Sequence, residues 1–416
     1  MKRVILLVVV CLTTLLFTGC ANNSARTGTT IRGNLSNEFW MQRINLDPNM
    51  WTKNASPWFF TNEPTRFDQY ASNSPLSSAI SIVTVRVPDF TKIKIDGPFR
   101  VQIAGRQEHN SVNIMGANAL TRHTAVDIRG DTLFLHPASE CTSGCGHLDQ
   151  VVVRIGMREL HSLVDSGTGS VEAKDIDSSG LVLISTNCAN ILMVGDMTVT
   201  DIAQQGTGTI SLLGVNTPAL NINIYNNGSL NVSGHVNVKR IMKQGSGNLN
   251  ILGATSDGLI VKSSGSGVTT VAGYTNLKRL DAEGNSRVYI YWVNSAGMYV
   301  NIRDHSHVGL AGSTTNLDVD LSNDSRFLGK YLRANNVYIR TRDYSHANIN
   351  PADKLFANAM DNSSIYFFNA PNIISRYTLG NGVVVPVFND DLPAAPVPVA
   401  GDTSGIPDSV YKGLSR

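Results

Sequence analysis

Hydrophobic positions along this chain fall in short alternating runs, and past residue 150 those runs share one register. Between Val83 and Leu135 the apolar members (Val83, Val85, Val87, Ile93, Ile95, Val101, Ile103, Val112, Ile114, Val126, Ile128, Leu133 and Leu135) are separated by single polar residues and punctuated by Gly, Pro and Asn. Period-two alternation with such breakers predicts half-buried strands and turns. Beyond Val151 the runs repeat. The clearest copies begin Gly167-Thr-Gly-Ser-Val171, Gly206-Thr-Gly-Thr-Ile210, Asn226-Asn-Gly-Ser-Leu230 and Gly245-Ser-Gly-Asn-Leu249.

The middle residues of eleven copies are Thr168, Cys188, Thr207, Asn227, Ser246, Ser266, Asn285, His305, Asp324, Tyr344 and Asn362, spaced by 20 or 19 residues except for a final 18. Three residues later stands an apolar column from Val171 to Ile365, and five later a second from Ala173 to Phe367. Columns of equal parity face one interior. A single coil cannot bury its inward residues alone, but stacked coils form a continuous core. The pattern predicts an all-β chain folded as a single-stranded parallel β-helix. At about 4.8 Å per coil, eleven coils make a rod about 50 Å long. Glycines seven residues after the middle (Gly195, Gly214, Gly234, Gly253, Gly273, Gly312) mark a second corner where a side chain would obstruct the stack.

The segments outside the repeat read differently. Lys2 and Arg3 precede an apolar run from Val4 to Phe17, and Leu16-Phe-Thr-Gly-Cys20 follows as a lipobox. About 14 apolar residues suit a signal peptide better than a membrane span. Residues 1–19 are therefore expected to be a cleaved lipoprotein signal and Cys20 the lipidated residue. Membrane anchoring through that lipid follows. No Asp follows the cysteine, which fits sorting to an outer membrane. Residues 20–82 form a polar tether that contains Trp40, Trp51 and Trp58, read either as a cap on one solenoid end or as a partner-docking strip. Residues 83–388 are the β-helix, and 389–416 a Pro/Ala-rich tail.

The leading strands and the repeat together resemble the bacterial head GIN domain family of auto-transporter adhesins. The residues that carry the resemblance are Phe90-Thr-Lys-Ile-Lys-Ile-Asp-Gly-Pro-Phe-Arg-Val-Gln-Ile103, Gly130-Asp-Thr-Leu-Phe-Leu135 and the Ser-Gly-Thr-Gly-Ser170 repeats. The resemblance implies an exported, often lipid-anchored β-helix and carries over no catalytic site.

Charge and candidate chemistry narrow the function. Loss of Lys2 and Arg3 from 34 basic residues leaves 32 against 32 acidic ones, so nothing steers the mature chain toward nucleic acid. No phosphate loop, nucleophile elbow or zinc-protease motif is present, and no cofactor is implied. In an oxidising envelope Cys141 and Cys145 are expected to form a small disulfide loop and leave Cys188 free; zinc at that loop would need more ligands than His136 and His147 supply.

One change along the repeat is informative. The residue after the middle is small or Gly up to Gly267, then becomes Ser286, Ser306, Ser325, Ser345 and Ser363. From the same coil the next column reads Arg287, His307, Arg326, His346 and Ser364, and the preceding column Asp304, Asn323, Asp343 and Asp361. Parity predicts an inward serine ladder beside an outward strip. Arg287, His305, His307, Arg326, Tyr344 and His346 are the candidate binding residues, suited to a glycan or another repetitive envelope polymer. The alternatives are a solvated face whose charges cancel in rows, which would leave a purely structural envelope protein, and polysaccharide lyase or hydrolase chemistry by Asp343 and Asp361 with Asp324 and His346 nearby. The acids also occupy a corner where Asp and Asn favour the turn.

Overall fold

A computed structural model describes residues 80–139 and 147–387 of the chain. Strand accounts for 73% of them and helix for 2%, wound into a β-solenoid of about 12 turns. The parallel β-helix read from the repeat is borne out. Cys20, the three tether tryptophans, Cys141, Cys145 and the Pro/Ala-rich tail lie outside the described residues. No helix among the described residues is long and apolar enough to cross a membrane.

From Ser170 to Asp361 each coil is one bent strand of 15–17 residues, paired in parallel with the coils before and after it, and the last coil is split into shorter strands. The two predicted apolar columns point inward: Val171, Ile191, Ile210, Leu230 and Leu249 are buried, and so are Ala173, Met193, Leu212, Val232 and Ile251. Two further faces add inward pairs that fixed-offset counting did not reach, such as Met197 and Val199, then Ile202 and Gln204.

The alternation of 20- and 19-residue coils has a structural meaning. The longer coils place Ser178, Thr217, Ser256 and Ser295, 39 residues apart, at a buried corner. There Thr217 Oγ1 donates to Val199 O at 2.7 Å, Ser256 Oγ to Val238 O at 2.6 Å and Ser295 Oγ to Leu277 O at 2.9 Å. The repeating unit in this part of the solenoid is thus a pair of coils, the hydroxyl of one tied to the backbone of the other.

The first coils are not stacked in chain order. Lys92–Ile95 pairs with Thr132–Pro137 on one side and Ser162–Asp165 on the other. Likewise Arg100–Ala104 lies between Val152–Gly156 and the start of Ser170–Ser185. The chain therefore lays down its second coil first, makes an excursion, and returns to build the outermost coil. The excursion supplies antiparallel strands: Ser111–Ala117 against Val152–Gly156, Thr124–Arg129 against Thr132–Pro137, and Ile80–Val85 on the outer edge of Ser111–Ala117. These strands cap the N-terminal end by reversing strand direction where the parallel stack stops.

Besides the hydroxyl corner, a polar column lies inside the coils under the first corner. Asp165, Ser185, Gln204, Ile224, Lys243 and Ser263 lie in register on successive coils, and all but Ile224 are buried polar groups. Gln204 Nε2 donates to Gly208 O at 2.5 Å and fills the space beneath Gly228, where a Cβ would lie 2.4 Å from that nitrogen. Burial holds the Lys243 ammonium down to about 8, and burial, with a smaller push from Asp96, raises the Asp165 carboxyl to about 6.

Candidate functional site: two faces of the C-terminal coils

The corner that carries the predicted strip is a tight turn with a left-handed residue. Asn226, Gly245, Gly265 and Gly284 hold positive φ in this column, and Asp304, Asn323, Asp343 and Asp361 continue it at φ +60° to +64°. Asx side chains tolerate that conformation, so the switch from Gly to Asp keeps the backbone while adding a carboxylate. The carboxylates then bond the neighbouring coil. Asp304 Oδ2 accepts from Gly284 N at 2.9 Å, Asp343 Oδ2 from Asn323 N at 3.0 Å, and Asp361 Oδ2 from Asp343 N at 3.2 Å. The backbone turn closes through Ser306 N to Arg303 O and Ser345 N to Arg342 O, each 3.3 Å.

The next column points inward as predicted. Ser286, Ser306, Ser325, Ser345 and Ser363 are all buried. Ser286 and Ser306 share a hydrogen bond of 3.3 Å, Ser325 Oγ donates to Ile302 O, and Ser363 bonds Thr341 Oγ1 at 2.8 Å. These serines are therefore structural rungs.

Beside them, Arg287, His307, Arg326, His346 and Ser364 are lateral partners on five successive coils, although Ser364, expected to point outward, is buried. Each opens its strand, which puts the whole column on one edge of the corner. Arg287, Arg326 and His346 are exposed and His307 half-buried. Neither Arg287 nor Arg326 forms an ion pair with any described residue. Partial burial, then Arg326 and Arg287, hold the His307 imidazole below its ordinary range. His346 Nδ1 lies 2.5 Å from Ser364 Oγ. The predicted members His305 and Tyr344 sit two residues upstream, at the tip of the turn, where both are exposed.

A second feature, not predicted, occupies the face that leads into this corner. Arg279, Tyr299, Asp318, Tyr338, Phe356 and Ser375 form one lateral row, and Asp281, Asn301, Asp320, Arg340, Asn358 and Tyr377 the row beside it. Tyr338 and Phe356 stack with ring centroids 4.9 Å apart and planes 3° from parallel. Arg340 donates through Nε and Nη2 to the two oxygens of Asp320 at 2.5 and 2.9 Å, and Tyr299 Oη donates to Asp320 Oδ2 at 2.8 Å. The Asp320 bond holds the Arg340 guanidinium above its usual range, whereas burial raises the Asp318 carboxyl. Between the rows runs an open groove of about 360 Å³, lined by Asp318, Tyr338, Ile339, Arg340, Phe356, Ala357, Asn358, Ser375 and Tyr377. Fixed-offset counting misses it because corner lengths vary: Tyr299 and Tyr338 stand 14 residues after their coil's middle, Phe356 only 12.

Among the described residues no group of three or more His, Cys, Asp or Glu is placed to hold a metal ion. His136 instead bonds Pro137 O and Asp127 Oδ2. Cys188, expected to be free, is disulfide-bonded, and the other four cysteines lie outside the described residues. The expected Cys141–Cys145 loop lies outside the described residues, and only the free state expected of Cys188 is corrected.

Comparison with known proteins places the chain. Residues 89–291 and 272–371 match the family model described as putative auto-transporter adhesin, head GIN domain. The chain belongs to that family. Solved structures similar to this chain include a putative adhesin from Parabacteroides distasonis, 12% identical over 75% of this chain and 98% of that one, with a TM-score of 0.30. Another, from Bacteroides fragilis, is 15% identical at the same coverages with a TM-score of 0.25. A putative lipid binding protein from Parabacteroides distasonis is 9% identical, again over 75% and 98%, with a TM-score of 0.25. No curated protein matches the chain.

Proposed function

We propose that this head GIN protein is a non-enzymatic, adhesin-like scaffold of the cell envelope. It is held on the membrane, in our reading the outer membrane, by a lipid on Cys20. It presents the strip of Arg287, His307, Arg326 and His346, flanked by His305 and Tyr344, to an anionic glycan or another repetitive envelope partner. The observation that carries the reading is the register of four cationic or titratable side chains on successive coils, the two arginines without an ion pair among the described residues. A row spaced about 4.8 Å apart on a rigid sheet suits a polymer whose charges repeat, because each contact is already oriented. Glycoside hydrolysis finds less support, since the carboxylates of Asp343 and Asp361 already accept backbone N–H groups.

Two experiments test the proposal. Binding of the mature protein to an array of uronate-containing and sulfated glycans should fall at least tenfold in Arg287→Ala/Arg326→Ala; equal binding by both proteins, or by neither, sinks the strip. An anion between the arginines favours protonated His307, so binding should strengthen on acidification from pH 7 to 5.5. For the anchor, Cys20→Ser should move the protein from the membrane fraction to the soluble one, and unchanged partition rejects lipidation.

A further inference from the structure

We propose that the groove between the Tyr338–Phe356 stack and the Arg340–Asn358–Tyr377 row is a binding site for an uncharged saccharide chain. The proposal uses none of the strip residues and stands apart from the anion-binding reading.

The ring pair points there first. Phe356 is 36% exposed and Tyr338 46%, large values for aromatic side chains on an otherwise well-packed solenoid. Their stack is bounded by two short side chains in the same row, Asp318 on one side and Ser375 on the other. Each outer ring face is therefore left without a partner of its own size. Exposed aromatic faces carry a large apolar area at low entropy cost, and the C–H face of a pyranose ring matches them in size and polarity. Tyr377, 57% exposed, stands across the groove as a second wall.

The polar groups point the same way. Arg340 is pinned by Asp320, itself held by Tyr299, so its fork does not have to be ordered when a ligand arrives. Among the described residues the only charged ones that line the groove are Asp318 and Arg340, 3.6 Å apart as an ion pair. The lining thus has no net charge for an ion to answer, but offers a carboxylate acceptor, guanidinium donors and the Asn358 amide to hydroxyls. A few oriented polar groups beside an apolar floor characterise a small-molecule site. The volume lies at the small end of ligand sites, and the lining spans four neighbouring coils, a length that suits a chain more than a single ring.

The test is an array of neutral oligosaccharides (hexose and N-acetylhexosamine series with α and β linkages) probed with the full mature protein, then calorimetric titration of the strongest hit. Wild type should bind at least one series. Phe356→Ala should weaken that binding at least tenfold, Phe356→Tyr should stay within about threefold of wild type, and Arg287→Ala/Arg326→Ala should bind normally. If Phe356→Ala fails to fold, Tyr377→Ala, whose side chain lies largely in solvent, takes its place with the same expected loss. The proposal is overturned if no neutral saccharide binds or if the groove variants bind as wild type. It is equally overturned if a synthetic peptide of residues 389–400, Pro-rich and suited to aromatic grooves, binds in a Phe356-dependent way while every sugar is ignored.

Discussion

The carboxylate of Asp361 accepts a hydrogen bond from the backbone N–H of Asp343, 3.2 Å away on the preceding coil. Two acids that sequence spacing places side by side, as a hydrolase pair would be, are thereby joined as links of a corner ladder. At φ +61° and +60° both also hold a backbone conformation that most residues resist.

The ladder predicts an order of stability. Asp343→Ala should cost about 1–3 kcal/mol, from a lost hydrogen bond of about 1 kcal/mol and the left-handed penalty of about 1–2 kcal/mol. Asp343→Gly should cost less, and Asp343→Asn least. Urea denaturation of the three variants checks this, and an Asn variant as unstable as Ala would remove the Asx explanation.

Lys243 should destabilise the protein at neutral pH. Its folded pKa of about 8 lies below the ordinary 10.5, so between those values the unfolded chain binds more protons. Stability should therefore rise as pH increases from 8 to 10.5, and the penalty is complete below 8. Lys243→Met should stabilise the protein by about 1–3 kcal/mol at pH 7 and flatten that rise. Thermal melting across the window gives the comparison.

Asp165 has the opposite slope. Its folded pKa of about 6 exceeds the ordinary 3.8, so in that interval the native state holds the extra proton. This group's contribution is complete below pH 4 and is lost as pH rises to 6. Asp165→Asn keeps an acceptor for the Gly167 N–H, 2.8 Å from Oδ1, and should abolish the slope. An unchanged pH profile in that variant would reassign the effect.

Glycines pressed against the neighbouring coil should differ sharply from those that face open space. A Cβ on Gly234, at φ +146°, would lie 2.0 Å from Val215 O, whereas one on Gly180 would meet nothing within 4 Å. Gly234→Ala should lose about 2–4 kcal/mol, and Gly180→Ala should remain within about 0.5 kcal/mol of wild type. Similar losses at both positions would show that backbone entropy, not coil contact, sets the requirement.

Much of this protein is legible in its sequence alone. A spacing of 19 or 20 residues, two apolar columns of one parity and the Gly corner column dictate stacked coils, because only stacking buries those residues. The same register correctly turned Ser286 through Ser363 inward and aligned Arg287, His307, Arg326 and His346, since strand parity is local information. The tertiary structure alone decided which segments become neighbours when offsets change. It slid Lys92–Ile95 between two later strands, joined Cys188 in a disulfide, and brought Tyr338, Phe356 and Arg340 to one groove despite unequal corner lengths. Periodicity records the inward or outward sense of a side chain, but contacts between coils depend on the path around each corner, which is settled only when the coils pack.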